Sequence, residues 1–281
     1  MRQLKPLWLK VKIPSGQNFF RIKSLLNNQI HTICQEARCP NIAECWEKGT
    51  ATFLILGDTC TRYCSYCNVK TGTPEKIGID EPKRIAALVN KLNLNYAVIT
   101  SPTRDDLEDG GAEIFAETIR EIKKTKNNCK IEVLVPDFKG NTSSIAKVLK
   151  EEPFVFGHNL EVVESLFPKI RPHGNYMLSL KILKRAKETN KYILTKSGIM
   201  IGLGEEKEEI LKLMQDLRKV KCDIFTIGQY LQPSEKHHIV KKYYSPTEFH
   251  ELKQLGLSLG FKHVLAGPLV RSSYHAEEIA K

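Results

Sequence analysis

Six of the chain's eight cysteines lie between Cys34 and Cys67, in two triplets of unequal spacing: Cys34-x4-Cys39-x5-Cys45 and Cys60-x3-Cys64-x2-Cys67. Thiolates hold soft metals, and three per site is one fewer than the four that close a structural zinc or an ordinary iron–sulfur cluster. Each triplet therefore points to a metal centre whose last position is filled by something else. Zinc knuckles pair cysteines two by two, which the odd number here does not match. Cys129 and Cys222 stand just ahead of predicted strands, at the face opposite the second triplet, and read as small buried hydrophobes.

The elements that must position these thiols follow a (β/α) rhythm. Strands are predicted over Ala51–Leu56, Tyr96–Thr100, Lys130–Val135, Phe154–Phe156, Tyr192–Ile201 and Asp223–Ile227. Helices are predicted near 81–93, 109–126, 142–151, 178–189, 205–220 and 246–259. In the clearest of them Ile210, Leu213, Met214, Leu217 and Val220 recur at helical spacing. Six such units make a partial (β/α)6 TIM-like barrel, α/β in class, with functional groups on the loops after the strands. Cys60, Cys64 and Cys67 fall on the first of those loops. The organisation expected is an extension over residues 1–50, a barrel over 51–265, and a tail over 266–281.

Composition sets outer bounds. With 281 residues, 41% hydrophobic and 27% charged, the chain can bury a sizeable core. It shows neither an apolar leader nor a run long enough to span a membrane, so a cytoplasmic protein is expected, and clustered cysteines in a reducing compartment favour metal over disulfides. The 43 Lys and Arg against 32 Asp and Glu give a net charge of +11. No acidic residue precedes Glu36, while Arg2, Lys5, Lys10, Lys12, Arg21 and Lys23 make the N-terminal arm basic. That field favours an acidic protein partner; nucleic acid is not expected, because no aromatic-interleaved motif accompanies the charge.

The spacing Cys60-x3-Cys64-x2-Cys67 resembles that of the radical S-adenosylmethionine superfamily. Membership would imply a four-iron, four-sulfur cluster whose free iron binds S-adenosylmethionine and generates a 5′-deoxyadenosyl radical. Tyr66 matches the aromatic that lies near the adenine in that family, although a packing tyrosine is the plain alternative. Gly198-Ile199-Met200-Ile201-Gly202-Leu203-Gly204-Glu205 resembles the family's fifth-strand motif. There glycines such as Gly202 let the backbone approach the adenine, and Glu205 would open the next helix. Asn159 follows the fourth strand, where the superfamily often contacts the ribose.

The first triplet narrows the resemblance. Together with Gly49-Thr50-Ala51-Thr52-Phe53 and its continuation to Arg62, and with Gly267-Pro268-Leu269-Val270-Arg271-Ser272-Ser273-Tyr274-His275 near the C-terminus, it is similar to lipoyl synthases. Arg104-Asp105-Asp106-Leu107, Asp109-Gly110-Gly111-Ala112, Glu132-Val133-Leu134-Val135-Pro136-Asp137-Phe138, His158-Asn159 and Thr226 to Ser234 extend the likeness through nearly the whole chain. The likeness implies a second, auxiliary four-iron cluster held by Cys34, Cys39, Cys45 and Ser273. A serine oxygen is a hard ligand among soft thiolates, and so the labile corner of a cluster that must surrender sulfide. Ser273 thus acquires a catalytic role, and the tail is expected to fold back over the N-terminal extension.

What the resemblance implies is sulfur insertion at carbons 6 and 8 of an octanoyl group on a lysine of a lipoyl carrier protein, consuming two S-adenosylmethionine per product. Implied partners are the octanoylated carrier domain, an electron donor such as a ferredoxin or flavodoxin, and an iron–sulfur cluster carrier. A methylthiotransferase or biotin-synthase-like inserter would share the Cys60 loop but needs no Arg-Ser-Ser-Tyr tail. A plain metal-binding module would share neither the cofactor motif nor the tail. Of the remaining polar residues, Arg104 pairs with a neighbouring aspartate or lines the cavity, Arg271 meets a carboxylate or anchors the tail, and His237 and His238 read as surface residues.

Overall fold

The structure is a computed structural model that describes residues 4–11, 16–26, 30–48, 50–76, 78–274 and 276–280. Arg2 and Lys12 of the basic arm, and Gly49 and His275 of the family motifs, lie outside the described residues. The chain begins with helix α1 (Gln17–Leu25), strand β1 (His31–Thr32), and the short helices α2 (Ile33–Glu36) and α3 (Ile42–Glu47). Then come β2 (Thr52–Leu54), the two-residue strands β3 (Thr59–Cys60) and β4 (Lys70–Thr71), and α4 (Glu81–Lys91). The alternation continues with β5 (Tyr96–Thr100), α5 (Ala112–Thr125), β6 (Lys130–Leu134), α6 (Thr142–Lys150), β7 (Val155–Gly157), α7 (Phe167–Ile170) and α8 (Tyr176–Thr189). It ends with β8 (Leu194–Ile201), α9 (Lys207–Lys219), β9 (Ile224–Gln229), α10 (Pro246–Ser258) and β10 (His263–Gly267).

Among the described residues one sheet runs in the order β1-β2-β5-β6-β7-β8-β9-β10, parallel throughout except where β1 lies antiparallel on β2. Its strands rise in sequence and its two edges do not pair with each other. This is the expected open barrel with one parallel strand more than the six predicted. The extra strand, β10, escapes the sequence pattern because its apolar run, Val264-Leu265-Ala266, is only three residues long between His263 and Gly267.

Local chemistry explains the helix bounds. Ser245 and Glu248 form a reciprocal capping box with Pro246 at the first turn of α10. Glu206 and Glu209 do the same for α9, and Asn141 and Asn175 accept from first-turn amides of α6 and α8. Ala112, Phe115, Ala116, Ile119 and Ile122 give α5 an apolar stripe that is buried against the sheet, where β5 is buried along its whole length. Among the described residues no helix is long and apolar enough to cross a membrane.

The open side of the barrel receives the end of the chain. Ala276 is fully buried against Tyr96 and Val98 of β5. Gly228 is what lets the tail approach: a Cβ there would stand 2.1 Å from the Val270 carbonyl oxygen. Cys129 and Cys222 are buried, and the Cys222 thiol donates to the carbonyls of Thr195 and Ile224 at 3.6 and 3.4 Å, as small core residues do.

Candidate active site at the barrel mouth

A cavity of about 560 Å³ opens at the C-terminal ends of β5 to β9, and all six clustered cysteines line it together with Ser273. The loop that carries Cys60, Cys64 and Cys67 is closed on itself by β3 and β4, whose register pairs Cys60 with Thr71. Within it the Cys67 amide donates to the Cys64 carbonyl at 3.1 Å and the Arg62 amide reaches the Cys60 sulfur at 3.4 Å.

The loop is clamped to the barrel by Arg62. Its guanidinium donates to both oxygens of Asp105 at 2.7 and 2.9 Å and to both oxygens of Asp137 at 2.6 and 2.8 Å. Burial alone would raise the Asp137 carboxyl, but hydrogen bonds and charge from Arg62 outweigh it and hold the group below the ordinary range. Ser65 adds a bond from its amide to the Ile170 carbonyl. His237 contacts the Cys67 carbonyl through Nε2 at 3.0 Å, and the His238 amide donates to the Ser65 carbonyl at 2.8 Å. Both histidines are half-buried, which corrects the expectation of surface residues: they brace the cysteine loop from behind.

The first triplet is positioned by the sheet edge and by two short helices. Cys34 lies in α2 directly after β1, Cys39 in the following turn, and Cys45 in α3. Asn68 ties this region to the Cys60 loop through Nδ2 on the Glu36 carbonyl at 2.9 Å. The tail crosses it as expected: Asn41 donates to the Leu269 carbonyl at 2.5 Å, the Tyr274 hydroxyl to Glu44 at 3.1 Å, and the Thr52 hydroxyl to Ser273 Oγ at 2.8 Å. Arg271 lines the cavity beside Cys39, with Nη1 donating to the Val270 carbonyl at 2.7 Å. It has no carboxylate partner among the described residues, and the charge that faces it is that of Cys39.

The electrostatics separate the cysteines into the same two groups. Burial pushes the Cys34 thiol up to about 11 and raises Cys39; Cys45 is raised by burial and then by the negative charge of Cys39 and Cys34. In the other triplet burial pushes Cys67 up to about 12, with Cys64 and Cys60 adding to it. Thiolates packed this closely need a cation to stay charged. Among the described residues no three His, Cys, Asp or Glu side chains are gathered tightly enough to hold a single metal ion. A cluster instead spreads its thiolates over separate irons. The indole N–H of Trp46 fits such a group as well: it is buried and faces the Cys34 sulfur, where it favours the thiolate.

Of the residues predicted to hold the cofactor, Tyr66 and Asn159 line the cavity, whereas Gly202 and Glu205 do not. Gly202 stands at φ +100, and its Cβ position is filled by Gln229 Nε2 and the Lys242 carbonyl. Glu205 is buried and accepts the amides of Gly202, Leu203 and Gly204 at 2.5, 2.9 and 3.1 Å, so it folds the turn after β8. Helix α9 starts after it, with Glu206 as the capping residue. It is Gly198, Ile199 and Met200 of that motif that face the cavity.

Two residues escaped the sequence reading. Glu161 has the left-handed φ of +71, accepts from Asn159 Nδ2 at 3.0 Å, and lines the cavity with its carboxyl raised by burial. Arg171 donates to the carbonyls of Asn159 and Leu160 at 2.9 and 3.3 Å and places its charge near Cys64 and Glu161. The Asn-x-Glu spacing after β7 was the available signal. Arg104 pairs with Asp106 at 2.7 Å and donates to the Leu56 carbonyl at 2.9 Å, a structural part.

Comparison with known proteins agrees with this geometry. A family model described as the radical SAM superfamily matches residues 54–217, and one described as the N-terminal domain of lipoyl synthase matches residues 1–39. The chain is 52% identical over 282 residues to a lipoyl synthase of Caldicellulosiruptor saccharolyticus, covering 100% of this chain and 99% of that one. It is 51% identical over 278 residues to that of Rubrobacter xylanophilus, covering 99% and 87%. Among solved structures, methylornithine synthase superposes with a TM-score of 0.58 at 13% identity, covering 93% of this chain and 86% of that one. SuiB of Streptococcus suis bound to S-adenosylmethionine superposes with a TM-score of 0.61 at 13% identity, covering 83% and 54%. The structural likeness speaks for the partial barrel, and the sequence likeness over full length for the rest: the chain belongs to the lipoyl synthase family of the radical S-adenosylmethionine superfamily.

Proposed function

We propose that this chain inserts two sulfur atoms, at carbons 6 and 8, into an octanoyl group borne on a lysine of a lipoyl carrier domain. The supporting observation is that both cysteine triplets line one cavity, with Ser273 brought there from the far end of the chain. Cys60, Cys64 and Cys67 would hold one four-iron cluster, and Cys34, Cys39, Cys45 and Ser273 another. When bound, the first with S-adenosylmethionine supplies a radical able to take hydrogen from unactivated carbon, and the second supplies sulfur.

The protein's own part is binding, orientation and exclusion of water. Asn159 and Glu161 offer polar contacts to a ribose, and Tyr66 and Met200 offer a surface for an adenine. Ile33, Val69, Val135, Ile199 and Val270 give the cavity apolar walls suited to an alkyl chain. Arg62 fixes the loop, so the radical would form at a set place relative to the sulfur source. With this function go an extension, barrel and tail divided near residues 50 and 265, a donor such as a ferredoxin or flavodoxin, an iron–sulfur carrier, and a cytoplasmic location.

Anaerobic incubation with an octanoyl-lysyl carrier peptide, reductant and S-adenosylmethionine, followed by mass spectrometry, tests this directly: a dithiolated peptide is expected. Iron and labile sulfide should each approach about eight per chain, two cubanes of four. Zinc without labile sulfide would refute the proposal.

A further inference from the structure

The two serines at the centre of the tail face different ways. Ser272 Oγ lies 3.4 Å from Asn159 Oδ1, on the side of the Cys60 loop. Ser273 Oγ lies 2.8 Å from Thr52 Oγ1, on the side of the first triplet. Thr52 is 4% exposed and is held in β2, where it pairs with Val98 in the parallel ladder. Its backbone N–H and hydroxyl both face the Cys34 sulfur as well. A β-branched side chain on a buried strand has little rotamer freedom, so its hydroxyl is a fixed point between a cysteine and a serine that arrive from opposite ends of the chain.

This matters because a seated backbone does not by itself fix the direction of a serine hydroxyl. Residues 272–274 form a turn, and contacts on either side seat the backbone: Asn41 to Leu269, the Gly228 surface under Val270, Tyr274 to Glu44, and Ala276 against Tyr96 and Val98. A serine side chain alone has three staggered rotamers, and only a second group can select the one that points its oxygen at the triplet. Hydrogen bonds from outside a metal's ligand set orient ligands in this way.

We propose that Thr52 is a positioning residue for the fourth ligand of the N-terminal centre: its hydroxyl holds Ser273 Oγ beside Cys34, Cys39 and Cys45. The inference rests on the assignment of Ser273 as that ligand. The prediction is that the serine-held iron is retained only while the Thr52 hydroxyl is present.

The test uses the full chain carrying Cys60→Ala, Cys64→Ala and Cys67→Ala, so that any cluster signal belongs to the first triplet. After anaerobic reconstitution, iron per chain is measured, and the three-iron form is followed by electron paramagnetic resonance after mild oxidation. Ser273→Ala in this background defines loss of the fourth ligand. Thr52→Val, which keeps shape and removes the hydroxyl, should raise the three-iron signal several-fold toward the Ser273→Ala level; Thr52→Ala should do the same, and Thr52→Ser should match the parent. If Ser273→Ala loses iron while both hydroxyl-free Thr52 variants match the parent, the positioning role is overturned. If Thr52→Ser is as defective as Thr52→Val, the effect belongs to packing and the proposal fails too. If Ser273→Ala itself matches the parent, the ligand assignment is what falls.

Discussion

Arg62 and Asp137 face each other through two parallel hydrogen bonds of 2.6 and 2.8 Å, with the guanidinium 8% and the carboxylate 3% exposed. The pair joins the cysteine loop to the segment after β6, and Asp105 completes the clamp. Removing one partner from such a pair costs about 3–5 kcal/mol. Asp137→Ala is therefore expected to lower stability by about 3 kcal/mol, the lower end, because Asp105 still faces Arg62. It should also make Cys60, Cys64 and Cys67 react faster with a thiol reagent in metal-free protein. Arg62→Lys should not rescue the loop, since an ammonium cannot serve two carboxylates in fork geometry. Chemical denaturation and thiol titration check both points.

His158 gives a pH dependence with a definite sign. Burial, and then the charge of Arg171, pushes it down to about 4; in the neutral ring Nδ1–H donates to the Val135 carbonyl at 2.9 Å and Nε2 accepts from the Ser179 hydroxyl at 3.0 Å. The folded value lies below the unfolded one, so the unfolded chain takes up the proton first as pH falls. The stabilisation is whole above about 6.5, declines as pH drops from there to about 4, and amounts to about 3 kcal/mol. Urea titrations across that window should show a steeper loss in the parent chain than in His158→Gln.

Gly228→Ala tests the seating of the tail. Its methyl would collide with the Val270 carbonyl, a backbone atom that cannot turn away. A cost of about 1–3 kcal/mol is expected, localised to the tail. Limited proteolysis should clip the C-terminal segment faster while the barrel remains resistant.

Lys5 and Lys10 are exposed on the N-terminal arm, and Lys5 also borders the cavity. If the arm steers an acidic carrier, Lys5→Glu with Lys10→Glu should weaken carrier binding several-fold at low salt, and the difference should vanish as ionic strength rises. Equal loss at every salt concentration would assign the effect to something other than steering.

The sequence carried the parts whose signals are local. Cysteine spacing, helical stripes and capping residues such as Ser245 and Glu248 act within a turn or two, so the helices fall within a few residues of their expected bounds. The parallel strands were legible for the same reason, except β10, whose apolar run of three residues is too short to stand out. The clamp at Arg62 was not, because its partners lie 43 and 75 residues away and no spacing marks them. Glu205 and Gly202 show the converse case: their types and spacing fit a cofactor motif, and in the fold the carboxylate accepts three backbone amides of its own turn. His237 and His238 lacked any pattern, and only the folded chain brings them behind Cys67.

The contact between Thr52 and Ser273 spans 221 residues. At about 5–20 residues per second of synthesis, the first three cysteines would emerge tens of seconds or so before the serine does. On the proposed ligand set, the N-terminal thiols would wait without their fourth partner while the barrel is still being made. With Ser273 as the proposed fourth ligand, completion of that centre would fall to the last stage of folding, when the tail closes the open side.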